Sequence, residues 1–143
     1  MKYKSKDYAL ANIKDNLLAK RVLKHLNPQP KDSILEIGCG RGFIAEKIQK
    51  ICPSAVGIDV NPETINNGVA NNLKVMDATI LDFPSDHFDK VYSCHTIEHV
   101  PDIKKFFKEA ERVLKPGGKM VLVYPFEIIR GISVIGSSLV IFK

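Results

Sequence analysis

The sequence predicts an α/β fold, a doubly wound and mostly parallel sheet of five strands, and three observations carry that expectation. Short apolar runs alternate with segments of helical period from Ser33 onward. The first run, Ile34-Leu35-Glu36-Ile37, passes straight into Gly38-Cys39-Gly40-Arg41-Gly42. A second run, Ser54-Ala55-Val56-Gly57-Ile58-Asp59-Val60, ends on an acid about 20 residues beyond the glycines. Alternation of this kind implies parallel pairing through right-handed crossovers.

The elements follow in order. Residues 1–30 read as a basic amphipathic helix, with Leu10, Ile13, Leu17, Val22 and Leu26 near helical spacing and lysines between them. Asn27-Pro28-Gln29-Pro30 ends it. Met1 to Asp32 holds eight Lys/Arg against three Asp, whereas Ser33 to Lys143 holds thirteen of each sign. The whole net charge of +5 therefore sits in this segment. Such a face admits nucleic acid as a partner, but a packed helix with a solvated lysine face is the favoured reading.

After the first strand, Phe43 to Ile51 forms a helix with Ile44, Ala45 and Ile48 on one side. Asn61 caps and Pro62 opens a further helix within Val60 to Ala70. Leu73-Lys74-Val75-Met76 reads as the third strand and runs into Asp77-Ala78. The fourth strand begins at Phe88 and leads into Cys94-His95-Thr96-Ile97-Glu98-His99-Val100-Pro101-Asp102. Asp102 caps a helix over Ile103 to Leu114, where Phe106, Phe107, Ala110, Val113 and Leu114 can face a sheet. Pro116-Gly117-Gly118 then turns the chain into a fifth strand ending near Pro125.

Composition agrees with one compact unit. At 143 residues and 45% hydrophobic, the chain suits a single domain with a real core. Cys39, Cys52 and Cys94 are too few, and odd in number, for a disulfide framework. They point to a reducing, cytoplasmic setting. Lys2, Lys4 and Lys6 are not followed by an apolar signal-peptide core, so secretion is not expected.

The glycine loop carries the chemistry. Glycines let the backbone approach a ligand and adopt angles that a Cβ disfavours, and the first N–H groups of the next helix lack intrahelical partners. The order here is acid-x-Gly-x-Gly-x-Gly rather than the dinucleotide G-x-G-x-x-G. Together with the acids at Asp59 and Asp77, the Glu98-His99-Val100-Pro101-Asp102 exit and the Pro116-Gly117-Gly118 turn, it resembles the class I S-adenosylmethionine-dependent methyltransferases, over roughly Lys31 to Pro125.

That resemblance implies a Rossmann-like fold and S-adenosyl-L-methionine as cofactor. It assigns cofactor contacts to Glu36, Gly38, Cys39, Gly40, Gly42, Asp59, Val60, Asp77, Ala78 and Cys94. Asp59 would accept from the ribose hydroxyls, as a carboxylate can from two at once. Val60 would offer a surface to the adenine face, and Asp77 would accept from the adenine amino group. His99 and His95, at the exit of the fourth strand, are the candidate bases. A capping role for His99 competes with that one.

His95-x-x-Glu98-His99 is also similar to part of the metal-binding set of small-RNA 2′-O-methyltransferases. His replaces the first Glu of that set and no histidine follows His99, so no metal is expected. The implied function is methyl transfer to an unidentified, small-molecule acceptor. The alternative is a regulatory or accessory domain that binds the cofactor without a complete substrate site.

The C-terminal stretch departs from the family. Residues 31–126 hold the cofactor core and 127–143 are a short apolar tail, where the family continues through a helix to an antiparallel strand pair. That final pair is therefore expected to be missing or incomplete. The tail reads as one helix or as a short strand that finishes the sheet, and two glycines and its length argue against a membrane span. An apolar end without cover implies a longer natural chain or self-association through the tail.

Overall fold

A computed structural model describes residues 16–124 and 137–142. Its elements are α1 (Asn16–Leu26), β1 (Ile34–Ile37), α2 (Phe43–Gln49), β2 (Val56–Asp59), α3 (Pro62–Asn66) and β3 (Leu73–Val75). β4 (Phe88–Cys94), a single 3-10 turn (Ile97–His99), α4 (Ile103–Val113), β5 (Leu114–Tyr124) and β6 (Ser137–Phe142) follow. The strands form one sheet in the order β3-β2-β1-β4-β5-β6. The first five are parallel, and β6 runs antiparallel to β5. The strand order reverses between β1 and β4, so their carboxyl ends diverge and leave a crevice.

The expected five parallel strands are all present. One antiparallel strand is added at residues 137–142, so the strand reading of the tail holds there, and among the described residues one strand of the family's final antiparallel pair is present. Leu10, Ile13, Ile128 and the rest of 127–136 lie outside the described residues.

Both faces of the sheet are covered, which explains why β1 is buried along its whole length, Glu36 included. Leu35 and Ile37 point to one face, where Phe106, Ala110 and Val113 of α4 complete a core with Ile58, Val91 and Leu122. Ile34 and Tyr92 point to the other, against Val22 and Leu26 of α1 and Ile48 of α2. Alternation of side chains along each strand divides these two sets. Arg112 ties α4 to the loop before β4, donating to the carbonyls of Leu81 and Phe83 and to the Glu109 carboxylate.

Three local expectations change. Leu17 is 66% exposed, because the buried stripe of α1 is Ala19, Val22 and Leu26. Leu17 lies about 140° around the helix from Val22 at 100° per residue. The helix expected within Val60 to Ala70 is only Pro62–Asn66. Asn61 does cap it, accepting from Glu63 and Thr64 N–H, but the chain turns off where Gly68 N–H bonds the Ile65 carbonyl and Val69 N–H bonds that of Arg41. A Cβ at Gly68 would stand 2.9 Å from the Ile65 carbonyl oxygen and 2.5 Å from the Leu73 side chain, so any larger residue would crowd the turn. Pro116-Gly117-Gly118 forms a bulge within the β4–β5 ladder, since Leu114 already pairs with Phe88 before the register shifts.

Candidate functional site

Two cavities lie at the carboxyl ends of β1, β2 and β4, and Gly38 lines both. The first is walled by Ile58, Asp59, Val60, Met76, Asp77, Ala78, Thr96, His99, Val100 and Pro101. The second is walled by Glu36, Cys39, Gly40, Arg41, Phe43, Thr64, Cys94 and His95, with Leu18 of α1 reaching its rim. The structure thus brings together every candidate residue except Gly42. A Cβ on Gly42 would instead meet Ala70 and Leu73, which gives that glycine a packing role.

Gly38 shows why the loop needs its first glycine. Its φ is +76°, and a Cβ there would fall 2.0 Å from the Thr96 hydroxyl. The Thr96 hydroxyl bonds the Cys94 carbonyl at 3.0 Å and lies 3.4 Å from the Ile37 and Gly38 carbonyls, so the β4 exit and the glycine loop interlock. Gly40, at φ +53°, faces open space with no atom within 4 Å of the place of a Cβ. There the bare backbone can meet a ligand closely.

The first cavity presents carboxylates that the fold already holds. Asp59 accepts from the N–H of Gly40 through one oxygen (3.0 Å) and from that of Asn61 through the other (2.9 Å). The end of β2 and the glycine loop thereby fix its orientation. Asp77 accepts from both the N–H and the hydroxyl of Thr79 on its Oδ1, each at 2.7 Å. Half-exposed Val60, with Ile58 and Met76, supplies an apolar surface beside these acids. Carboxylates flanking an apolar slot suit a flat heterocycle joined to a diol.

The second cavity is built differently. Glu36 is 2% exposed, and its Oε2 accepts the Tyr92 hydroxyl at 2.7 Å. Burial pushes its carboxyl up to about 8, more than the Tyr92 bond lowers it. At neutral pH Glu36 is therefore predominantly a neutral acid. The same burial, with the Glu36 carboxyl next in effect, raises the Cys39 and Cys94 thiols, so neither is a nucleophile at neutral pH. Thr64, also 2% exposed, has a hydroxyl with no hydrogen-bond partner among the described residues.

The two candidate bases separate. His99 is exposed and lines the cavity of Asp59 and Asp77. His95 lines the cavity of Glu36, with its Nδ1 3.8 Å from Glu98 Oε1. Its backbone is in the left-handed region at φ +50° and its N–H bonds the Val123 carbonyl at 2.8 Å. A non-glycine residue held there marks a strand exit bent to aim a side chain.

Sequence reasoning did not single out Thr64, Thr96, Met76 or Arg41 as lining residues. Thr96 was marked only by its place in the β4 exit, and Thr64 by its position one turn after the Asn61 cap.

Comparison with known proteins agrees with this geometry. The methyltransferase domain family model matches residues 35–122. The ubiquinone biosynthesis O-methyltransferase of Chelativorans sp. (strain BNC1) is 29% identical, over 92% of this chain and 57% of its own length. The crystal structure of the YcgJ protein from Bacillus subtilis superposes with a TM-score of 0.71 at 25% identity, covering 76% of this chain and 50% of that one. Geranyl diphosphate C-methyltransferase from Streptomyces coelicolor A3(2), solved with S-adenosyl-L-homocysteine, shares the fold at a TM-score of 0.68 and 21% identity, over 76% of this chain and 44% of its own. The chain spans about half the length of these relatives. The family match covers more than half of the chain and runs through the strand ends that build both cavities, so the chain belongs to the class I S-adenosylmethionine-dependent methyltransferases.

Proposed function

We propose that this domain binds S-adenosyl-L-methionine across Gly38 and transfers its methyl group to a small-molecule acceptor, in a cytoplasmic setting that suits its free thiols. The observation that carries this reading is the pair of cavities meeting at one glycine. Asp59 and Asp77 hold the nucleoside in the first, and Glu36 with the Gly40 backbone holds the amino-acid end in the second. The residues fit such a group, since the backbone of Gly40 faces open space beside the buried Glu36 carboxyl, and Asp59 and Asp77 line the other cavity. The sulfonium supplies an electrophilic methyl, so the chain's own task is alignment, with a base only where the acceptor must lose a proton.

The O-methyltransferase relative favours a hydroxyl acceptor. A neutral hydroxyl benefits from a base, and of the two histidines His95 is the one on the Glu36 side. It is the favoured base here, with His99 walling the nucleoside. Nucleic-acid binding by the basic N-terminal segment and pairing through the tail are not needed for this reading.

Calorimetric titration tests it. S-adenosyl-L-homocysteine should bind and NAD should not; the reverse preference would refute the assignment. With methyl-labelled cofactor and a panel of phenols and catechols, label should pass to a hydroxyl, and His95→Ala should slow that transfer about a hundredfold, the usual worth of a positioned base. Tight cofactor binding without transfer to any acceptor would favour the accessory-domain alternative.

A further inference from the structure

At the exit of β4 the chain builds an acid–imidazole pair that the cofactor contacts do not use. β4 ends at Cys94, and His95 follows in the left-handed region at φ +50°, its N–H bonded to the Val123 carbonyl at 2.8 Å. The 3-10 turn Ile97–His99 then folds the chain back, closed by the His99 N–H on the Thr96 carbonyl at 2.9 Å. That reversal sets Glu98 Oε1 3.8 Å from His95 Nδ1. Backbone strain of this kind persists only where the surrounding structure over-determines it. Here the bonds of the His95 N–H and of the Thr96 hydroxyl on the Cys94 carbonyl do so.

The pair has the layout of a base and its orienting acid. His95 lines the second cavity, and the Glu98 side chain, 22% exposed, has no other partner among the described residues. With Nδ1 turned to a carboxylate, Nε2 is the nitrogen left for an acceptor, because the partner of one ring nitrogen sets which tautomer the other presents. At 3.8 Å the contact is an ion-pair distance, longer than a formed hydrogen bond. It suits an imidazole that becomes charged only on taking up a proton, and such bonds commonly tighten when substrate enters. A pair this open to water adds little to the stability of the fold.

We infer that Glu98 is the positioning residue for His95 in methyl transfer to a hydroxyl, a reading that rests on the function proposed above. As the hydroxyl oxygen bonds the methyl carbon, the methyl–sulfur bond breaks with its electron pair left on sulfur, and the hydroxyl proton passes to His95 Nε2. Glu98 keeps Nε2 bare beforehand and faces the imidazolium that results. The positive charge lost from the sulfonium thus reappears on His95, beside a carboxylate.

The experiment starts from the free protein. With isotope-labelled ring nitrogens at about pH 8, where free imidazole is neutral, the His95 resonances should report Nδ1–H and a bare Nε2. Glu98→Ala should move that tautomer toward Nε2–H, and Glu98→Asp should keep it. The melting temperature should not change, and S-adenosyl-L-homocysteine should bind within about twofold of wild type. With methyl-labelled cofactor and the panel of phenols and catechols, Glu98→Ala should lower kcat about tenfold and leave the acceptor KM within about twofold. The double variant His95→Ala/Glu98→Ala should be no slower than His95→Ala, since residues that act as a unit are not additive. A wild-type ring with its proton on Nε2, a tautomer indifferent to Glu98→Ala, or additive losses in the double variant would overturn the role of Glu98 while leaving cofactor binding intact. Failure of the wild type to bind S-adenosyl-L-homocysteine, or to methylate any member of the panel, would overturn the function proposed above and the catalytic role of the pair with it.

Discussion

The two cavities that meet at Gly38 are prepared for a ligand in opposite ways. On the Asp59 side the polar groups are partly solvent-facing, and the backbone already holds them in place. On the Glu36 side two of them are buried, Glu36 as a neutral acid and Thr64 with a hydroxyl that has no partner among the described residues. The first arrangement is preorganised and costs the free protein little. The second takes polar groups out of water, which is destabilising where their partners are incomplete. One crevice thus combines acids held by the backbone on one side with an acid held by burial on the other.

The largest effect should come from Glu36→Gln. A carboxyl with a folded value of about 8 and an unfolded one of 4.5 is neutral in both states at low pH. As pH rises from 4.5 toward 8 the unfolded state ionises while the folded one does not, so stability is lost across that window. The full loss is on the order of 4 kcal/mol. Glutamine keeps the shape and can still accept from Tyr92, but it cannot ionise. Denaturant unfolding of the free protein should find the variant more stable than wild type by most of that amount at pH 8, and close to it near pH 4.5. A difference independent of pH would show that Glu36 is not the buried acid described, and the contrast between the cavities would fall.

Asp59→Ala probes the prepared side. Ligand affinity should drop by about 1.5–3 kcal/mol, the worth of hydrogen bonds to a charged group. Stability should drop as well, because Gly40 and Asn61 lose their acceptor. Titration with S-adenosyl-L-homocysteine alongside thermal melts would separate the two losses; unchanged affinity would remove Asp59 from the site. The sign of the stability change sharpens the comparison, since removing the Asp59 acid destabilises where neutralising Glu36 stabilises.

Asp77→Asn should have the smallest effect. The amide oxygen can still accept from Thr79, so stability should stay within about 0.5 kcal/mol, as for most surface changes. Affinity should fall less than about tenfold. A collapse of affinity would mean that the charge of Asp77, rather than its shape as an acceptor, anchors the nucleoside.

Much of this molecule was written locally. The alternation of apolar runs and helical periods named five parallel strands, and the glycines at Gly38 and Gly40 occupy the positive-φ positions that the loop requires. Asp59 at a strand end and Asn61-Pro62 at a helix start are likewise short-range signals, each read within a few residues of where it acts. These features depend on backbone angles and on side-chain period, which neighbouring residues fix.

Other features depend on partners distant in sequence. Glu36 becomes a neutral acid only because Tyr92, 56 residues away, is its neighbour on the adjacent strand and both are sealed from water. Leu17 is excluded from the core by the rotation of α1 against the sheet, and the chain leaves α3 after Asn66 where Val69 N–H bonds the Arg41 carbonyl of the glycine loop. His95 and His99 are four positions apart in the chain, yet the bent exit of β4 sends them to different cavities. The sequence by itself determined the order of elements and the residue types at their ends. Tertiary structure alone decided which of those residues are buried, which share a cavity and which remain unpaired, because desolvation and hydrogen-bond satisfaction are properties of the packed neighbourhood rather than of the local chain.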